Sequence, residues 1–162
     1  MAETADARWL DESQQHSWRA LVMGMTLLLD RLDADLRRSF DVSLAEYEIM
    51  VRLSERPNRQ LRMAQLADAM AHSRSRVTHT VKRMEGAGLV ERTSSAEDGR
   101  GVVCVMTEQG HDLLVRMAPT HVNGVRDYLV DLADGHDLDA LGRVMNAVAD
   151  KLVVTHPESE IR

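Results

Sequence analysis

Residues 63–106 constrain this chain more than any other stretch. A short helical segment, 63–71, breaks at His72 and Ser73, and a second helix is expected from residue 74 to about 87. Ser73 is placed to cap it, since a serine hydroxyl can accept a hydrogen bond from a free N–H of the first turn. Gly88 follows where helices commonly end in the left-handed region. "LVERT" then reads as a strand, "TSSAEDGRG" as its polar connection and "VVCVM" as the return strand. Two short helices around a tight turn, followed by a hairpin, are the parts of a winged helix-turn-helix.

The second of these helices has a clear inside and outside. At about 100° per residue, Val77, Val81 and Met84 share one face. The opposite face carries Ser75, Thr78, His79 and Lys82, with Arg76 and Arg83 along one border. Glu85 is its only acid, late in the helix and nearer the buried side. A generic solvated helix mixes Glu with Lys. A face of hydroxyls and cations without carboxylates suits the major groove of DNA, where short polar side chains meet base edges and cations meet phosphates.

Helices flank this region on both sides. Residues 11–39 read as one long helix opened by capping-box spacing of Asp11 and Gln14. Trp18, Leu21, Val22, Met25, Leu28, Leu29, Leu32 and Leu36 recur along it at helical spacing. After "FDVS", Ser43 and Glu46 repeat the capping signal and open a helix to about residue 55, with Tyr47, Ile49, Met50 and Leu53 on its apolar face. "RPNRQ" ends it. Beyond the hairpin, Thr107 caps a helix to about residue 132, with a kink or break expected at Pro119. Asp134 caps a last helix to about residue 154, whose Leu138, Leu141, Met145, Val148 and Leu152 form a narrow packing seam.

Charge is distributed unevenly. The net charge is −6, yet residues 56–92 hold eight Lys/Arg against three Asp/Glu, a local +5, leaving −11 elsewhere. A basic middle between acidic ends is the footprint of a phosphate-binding lobe, because binding follows local potential rather than the total. The sequence contains no apolar run of about 18 residues, and its start lacks the basic and apolar regions of a signal peptide, so a cytoplasmic protein that does not enter the membrane is expected. It contains no phosphate loop, nucleophile elbow, metal set or paired catalytic carboxylates, so an enzyme is not expected.

At this point the sequence resembles the multiple-antibiotic-resistance regulator (MarR) family. The features that carry the likeness are "LADAM", the "SRSRVT" opening of the recognition helix, "EGAGLVER" leading into the wing, and "EDGRG" followed by "MTEQG". They occur in this order between long helices. The resemblance implies a mainly α fold with a small β-hairpin wing: an N-terminal dimerisation helix (1–42), a winged helix-turn-helix DNA-binding lobe (43–106), and C-terminal helices completing the dimerisation lobe (107–162). It implies a homodimeric regulator, usually a repressor, that binds a palindromic operator in double-stranded DNA and is released by a small-molecule effector or an oxidant.

The same resemblance assigns roles. Ser73, Arg74, Ser75, Arg76, Thr78, His79 and Lys82 enter the major groove, with Arg83 on the border of that face. Arg62 lies near the DNA backbone at the start of the preceding helix. Asp98 and Arg100 match the family's Asp-x-Arg in the wing, where the arginine enters the minor groove and the aspartate braces it. His72 departs from the family pattern, which commonly has an apolar residue there. The family's effector site lies where the dimer helices meet the winged lobe. Trp18, Arg19, Met25, Tyr47, His111 and Met117 are the candidates here, for a small aromatic or lipophilic effector.

No cofactor is implied. Seven scattered histidines without i, i+4 pairing, and one cysteine, argue against a metal site. Cys104 stands alone in an apolar strand, which favours a buried structural thiol over a sensor. A redox-responsive regulator of the same fold and a winged-helix protein-interaction module are the alternatives.

Overall fold

The computed structural model describes residues 7–94 and 101–153. Helix α1 (Glu12–Phe40) is a single unbroken helix. Its start carries both halves of the capping box: Asp11 accepts from the Gln14 N–H, and the Gln14 side chain accepts from the Asp11 N–H. It ends on Asp41 in the left-handed region. Helix α2 (Leu44–Ser54) repeats the device with Ser43 and Glu46. A 3-10 turn at Pro57–Arg59 then leads into strand β1 (Gln60–Arg62).

Helices α3 (Met63–Ala69) and α4 (Arg74–Gly86) form the helix-turn-helix. Strands β2 (Val90–Ser94) and β3 (Val102–Met106) form the hairpin, and β1 pairs with the other edge of β3 to give an antiparallel sheet of order β1-β3-β2. Leu61 lies opposite Cys104 in that ladder. The third strand is absent from the sequence reading because it is three residues long with one apolar side chain, too short to show a period of two.

Helix α5 (Glu108–Tyr128) passes through Pro119 without interruption, contrary to the break allowed for at that position. Proline removes one N–H donor, but Pro119 is exposed, and buried Met117 and Gly124 on either side keep the helix packed. The helix stops at Tyr128 rather than about residue 132, and a 3-10 turn at Val130–Leu132 takes its place. Helix α6 (Gly135–Val153) opens with the Asp137 N–H donating to Asp134.

One core unites α2, α3, α4, the sheet and α5. Ile49, Met50, Leu53, Leu66, Val77, Val81, Met84, Cys104 and Met117 are essentially sealed from solvent. The flanking helices join it only in part. Of the α1 stripe, Leu32 and Leu36 are buried, while Trp18, Val22, Met25 and Leu29 remain exposed. No described residue of α6 is buried, and Val144, Met145, Val148 and Leu152 face solvent.

The motifs around the hairpin have a local physical basis. Helix α4 closes with Gly88 at φ 72°, its N–H on the Glu85 carbonyl and the Leu89 N–H on the Met84 carbonyl, a Schellman ending. The chain then meets the start of α5. Thr107 donates its hydroxyl to the Gly88 carbonyl at 2.7 Å and accepts from the Gly110 N–H at 3.0 Å. Gly110 is buried with the Leu89 carbonyl lying where a Cβ would sit. Since backbone cannot swing aside as a side chain can, Gly110→Ala is expected to lower stability by about 2 kcal/mol or more. Urea unfolding checks this, and an unchanged midpoint would mean that α5 can slide off the strand without loss.

Candidate nucleic-acid interface

The wheel drawn from the sequence agrees with the seating of α4. Val77, Val81 and Met84 are 1%, 0% and 0% exposed, whereas Ser75, Thr78, His79 and Lys82 are all exposed. Ser73 caps the helix by accepting from the Arg76 N–H at 3.3 Å. Thr78 and Thr80 donate their hydroxyls back to the Arg74 and Arg76 carbonyls, which orders them and leaves their oxygen lone pairs available. Arg74 and Arg76 occupy the exposed first turn. Arg62 is the N-cap residue of α3 and the last residue of β1, half-buried, with its N–H on the Gln65 side chain.

The acid on this helix is already engaged. Glu85 holds Arg92 of β2 through three hydrogen bonds, the shortest 2.7 Å from Arg92 Nη2. The Arg92 bonds hold the Glu85 carboxyl below the usual carboxylate range. The pair ties the end of α4 to the hairpin and removes a bare negative charge from the basic lobe.

Arg83 is committed as well. Its Nε donates to Glu46 Oε1 at 2.7 Å and its Nη2 to Ser43 Oγ at 3.1 Å. Burial pushes the Glu46 carboxyl up, and the bonds from Arg83 and Ser43 outweigh it, so Glu46 stays below its ordinary range and charged at neutral pH. The capping serine and glutamate were legible in the sequence. Their distant partner was not.

A polar groove of about 400 Å³ runs between α1, α2 and α4, lined by Asp33, Arg37, Glu48, His72, Arg76 and Arg83 among others. His72 is half-buried there. Burial and the neighbouring Arg76 both lower its pKa, which favours the neutral ring. Asp98 and Arg100 lie outside the described residues. The hairpin that carries them is paired up to Ser94 opposite Val102.

The six effector candidates do not form one cluster. Tyr47 and Met117 share the main core, and His111 is half-buried on α5. Trp18, Arg19 and Met25 lie on the uncovered half of α1; Trp18 is 58% exposed, and Arg19 donates to Gln15 at 3.2 Å. His121 is a further half-buried side chain that no motif in the sequence marks. Its ring lies 4.5 Å from that of Tyr47 and its buried Nδ1 has no partner among the described residues, while burial lowers its pKa. The available signal was its place one helical turn beyond Met117 on α5.

Comparison with known proteins decides between regulators that share these parts. The family model described as MarR family matches residues 40–101. The DNA-bound crystal structure of Sco3205, a MarR family transcriptional regulator of Streptomyces coelicolor, is similar at 37% identity and a TM-score of 0.88, with 91% of this chain and 92% of that one covered. AbsC, another MarR family regulator of that organism, matches at 38% identity and a TM-score of 0.86 over 90% of this chain and 98% of its own. The chain belongs to the MarR family. It is therefore a member of a family of transcriptional regulators rather than of enzymes. The regulator PecS of Dickeya dadantii (strain 3937) is a more distant relative, 28% identical over 124 residues, which make up 74% of this chain and 75% of PecS.

Among the described residues no helix is long and apolar enough to cross a membrane, and no group of side chains is arranged to hold a metal ion. Cys104 is fully buried between β1 and β2, and burial pushes its thiol up to about 12. Thiolate, the reactive form, is then only about one part in 10⁵ at neutral pH. Alkylation of native protein by iodoacetamide should run at least about 100-fold slower than in denaturant. Rapid native labelling would reopen a redox role.

Proposed function

We propose that this MarR-family regulator is a homodimer that binds a palindromic operator in double-stranded DNA, represses the adjoining genes in the cytoplasm, and is released by a small-molecule effector. The observation that carries the DNA-binding part is the exposed face of α4. Ser75, Thr78, His79 and Lys82 point away from the core, and the only acid of that helix is bound by Arg92. Hydroxyls and an exposed imidazole suit base edges, and Lys82 with the arginines of the first turn suits phosphates. In this reading Ser73, Arg74 and Arg76 meet the groove edge, and Arg62 meets the backbone from the start of α3. Arg100 probes the minor groove with Asp98 holding it extended, which reduces the entropy lost on binding. Sco3205, solved in complex with DNA, supports the assignment as a relative.

Dimerisation follows from what the single chain leaves uncovered. The N-terminal half of α1 and the length of α6 both present apolar side chains to solvent, and α6 buries none of its described residues. Large contiguous apolar patches mark interaction surfaces. Pairing through residues 1–42 and 107–162 would cover both helices and set two α4 helices about 34 Å apart, one turn of DNA. Trp18, Arg19 and Met25 lie on that uncovered surface, so an effector touching them together with Tyr47 or Met117 needs the partner's helices to close its site. An aromatic or lipophilic molecule fits such a lining, and it releases DNA only by binding the DNA-incompetent arrangement better.

Two measurements test this reading. Sedimentation equilibrium should give twice the chain mass of 18.2 kDa, and Met145→Glu, on the exposed seam of α6, should shift it toward monomer and abolish tight DNA binding. Monomeric wild-type protein would remove the two-fold operator. Selection of genomic fragments by the purified protein, followed by anisotropy titrations across salt, should give a steep negative slope. Lys82→Ala should reduce that slope by about one. Failure to bind any fragment at low salt would end the DNA-binding reading.

A further inference from the structure

Apolar burial holds a helix in place but is not directional. The stripe of Val77, Val81 and Met84 therefore sets which face of α4 is buried without fixing the fine roll of the helix. Base-reading side chains need their geometry held to within about 10–20°, so the roll must be set by directional contacts. Among the described residues, Glu85 and Arg83 each make one to another element. With the stripe at zero, Glu85 lies at about +80° and Arg83 at about −120° around the helix. Glu85 is held by Arg92 of the hairpin, and Arg83 by Glu46 and Ser43 at the start of α2. The two anchors grip opposite flanks.

The Arg83 anchor is built into the core boundary. Glu46 and Ser43 are 6% and 3% exposed. Glu46 Oε2 accepts from the Ser43 N–H at 2.8 Å and from the Ser43 hydroxyl at 2.7 Å, leaving Oε1 for Arg83. The Ser43 oxygen spends its proton on Glu46 and accepts from the Glu46 N–H and from Arg83. The next residue, Leu44, donates its N–H to Asp33 of α1 at 2.8 Å. A guanidinium held by a carboxylate and a hydroxyl in this way has a fixed fork geometry.

We propose that Arg83 is a positioning residue for DNA recognition: bonded to Glu46 and Ser43, it fixes the roll of α4 so that Ser75, Thr78, His79 and Lys82 meet the groove. This role replaces the DNA contact that its place on the border of the outward face suggested, and it rests on the DNA-binding reading of α4.

The test uses full-length protein, the genomic duplex recovered by selection, and an unrelated duplex of equal length. A brace and a phosphate contact give opposite results. With a brace, Glu46→Gln, which keeps the capping hydrogen bond, and Arg83→Lys each weaken binding to the selected duplex about tenfold, the scale of one charge-assisted hydrogen bond. Binding to the unrelated duplex and the salt slope stay at wild-type values, and the double variant is no worse than either single one. With a phosphate contact, Glu46→Gln binds DNA as well as or better than wild type, because it frees Arg83, and Arg83→Lys keeps its affinity. Either result overturns the proposal. Thermal melts place every titration well below Tm. Should Glu46→Gln not fold, the exposed Arg83→Lys variant decides alone. Lys82→Ala separates the two levels of inference. Wild-type affinity and slope in that variant overturn the DNA face and the brace with it, whereas a weakened Lys82→Ala beside wild-type brace variants overturns the brace only.

Discussion

Val77, Val81 and Met84 are the contact on which the rest of the molecule is arranged. They lie on one stripe of a helix otherwise made of Arg, Ser, Thr, His and Lys, and they are sealed against α2, α3 and the sheet. Such a helix has little intrinsic reason to persist alone. Its β-branched and short polar residues are middling helix formers, and its stability comes from packing one face. Burying the stripe commits the opposite face to solvent, and the same step that folds the lobe displays its cations and hydroxyls. The neighbouring parts hold that seat: the Schellman ending at Gly88, the tie from Thr107, and the close approach of Gly110 to the Leu89 carbonyl.

The electrostatics follow from the same seat. A chain with net charge −6 is a poor partner for DNA on average, but the acid of α4 and the one beneath that helix are not left bare. Glu85 is bound by Arg92, and Glu46, beneath the helix, is bound by Arg83. Arg76 and Lys82 lie exposed on α4 outside these pairs and contribute to the field there. The uncompensated acids are concentrated in the rest of the chain. Potential near a charged surface falls off within about 8–10 Å at physiological salt, so distant acids cost the interface little.

Local signals in the sequence were strong. The capping boxes of Asp11–Gln14 and Ser43–Glu46 marked two helix starts to the residue, and the three-and-four spacing in α4 sorted its buried side chains from its exposed ones. Both depend on interactions within one or two turns. What escaped depends on residues far apart in the chain. Strand β1 exists only because β3 is there to pair with it. Arg83 looked like a free cation because Glu46 lies 37 positions away. Tyr47 and His121 meet only after α2 and α5 have packed. Pro119 failed to break α5 because burial on either side outweighs one lost hydrogen bond, and a penalty per residue cannot include that.

Helix α1 connects the two halves of the molecule. Its N-terminal half carries the uncovered apolar surface assigned to dimerisation, and its C-terminal half is buried at Leu32 and Leu36. Within that second half, Asp33 accepts the Leu44 N–H, next to the cap that holds Arg83. A chain of directional bonds therefore runs from the helix that would meet the partner to the helix that would meet DNA. Along it, α1 cannot shift relative to α2 without straining the Asp33 bond, and α4 cannot roll without breaking the Arg83 fork. If pairing sets the place of α1, it also sets the orientation of α4. A molecule that wedges against the uncovered half of α1 then needs no contact with the recognition face to disturb it. Tight coupling of this kind suits a regulator in which half-site spacing and helix roll must be correct together.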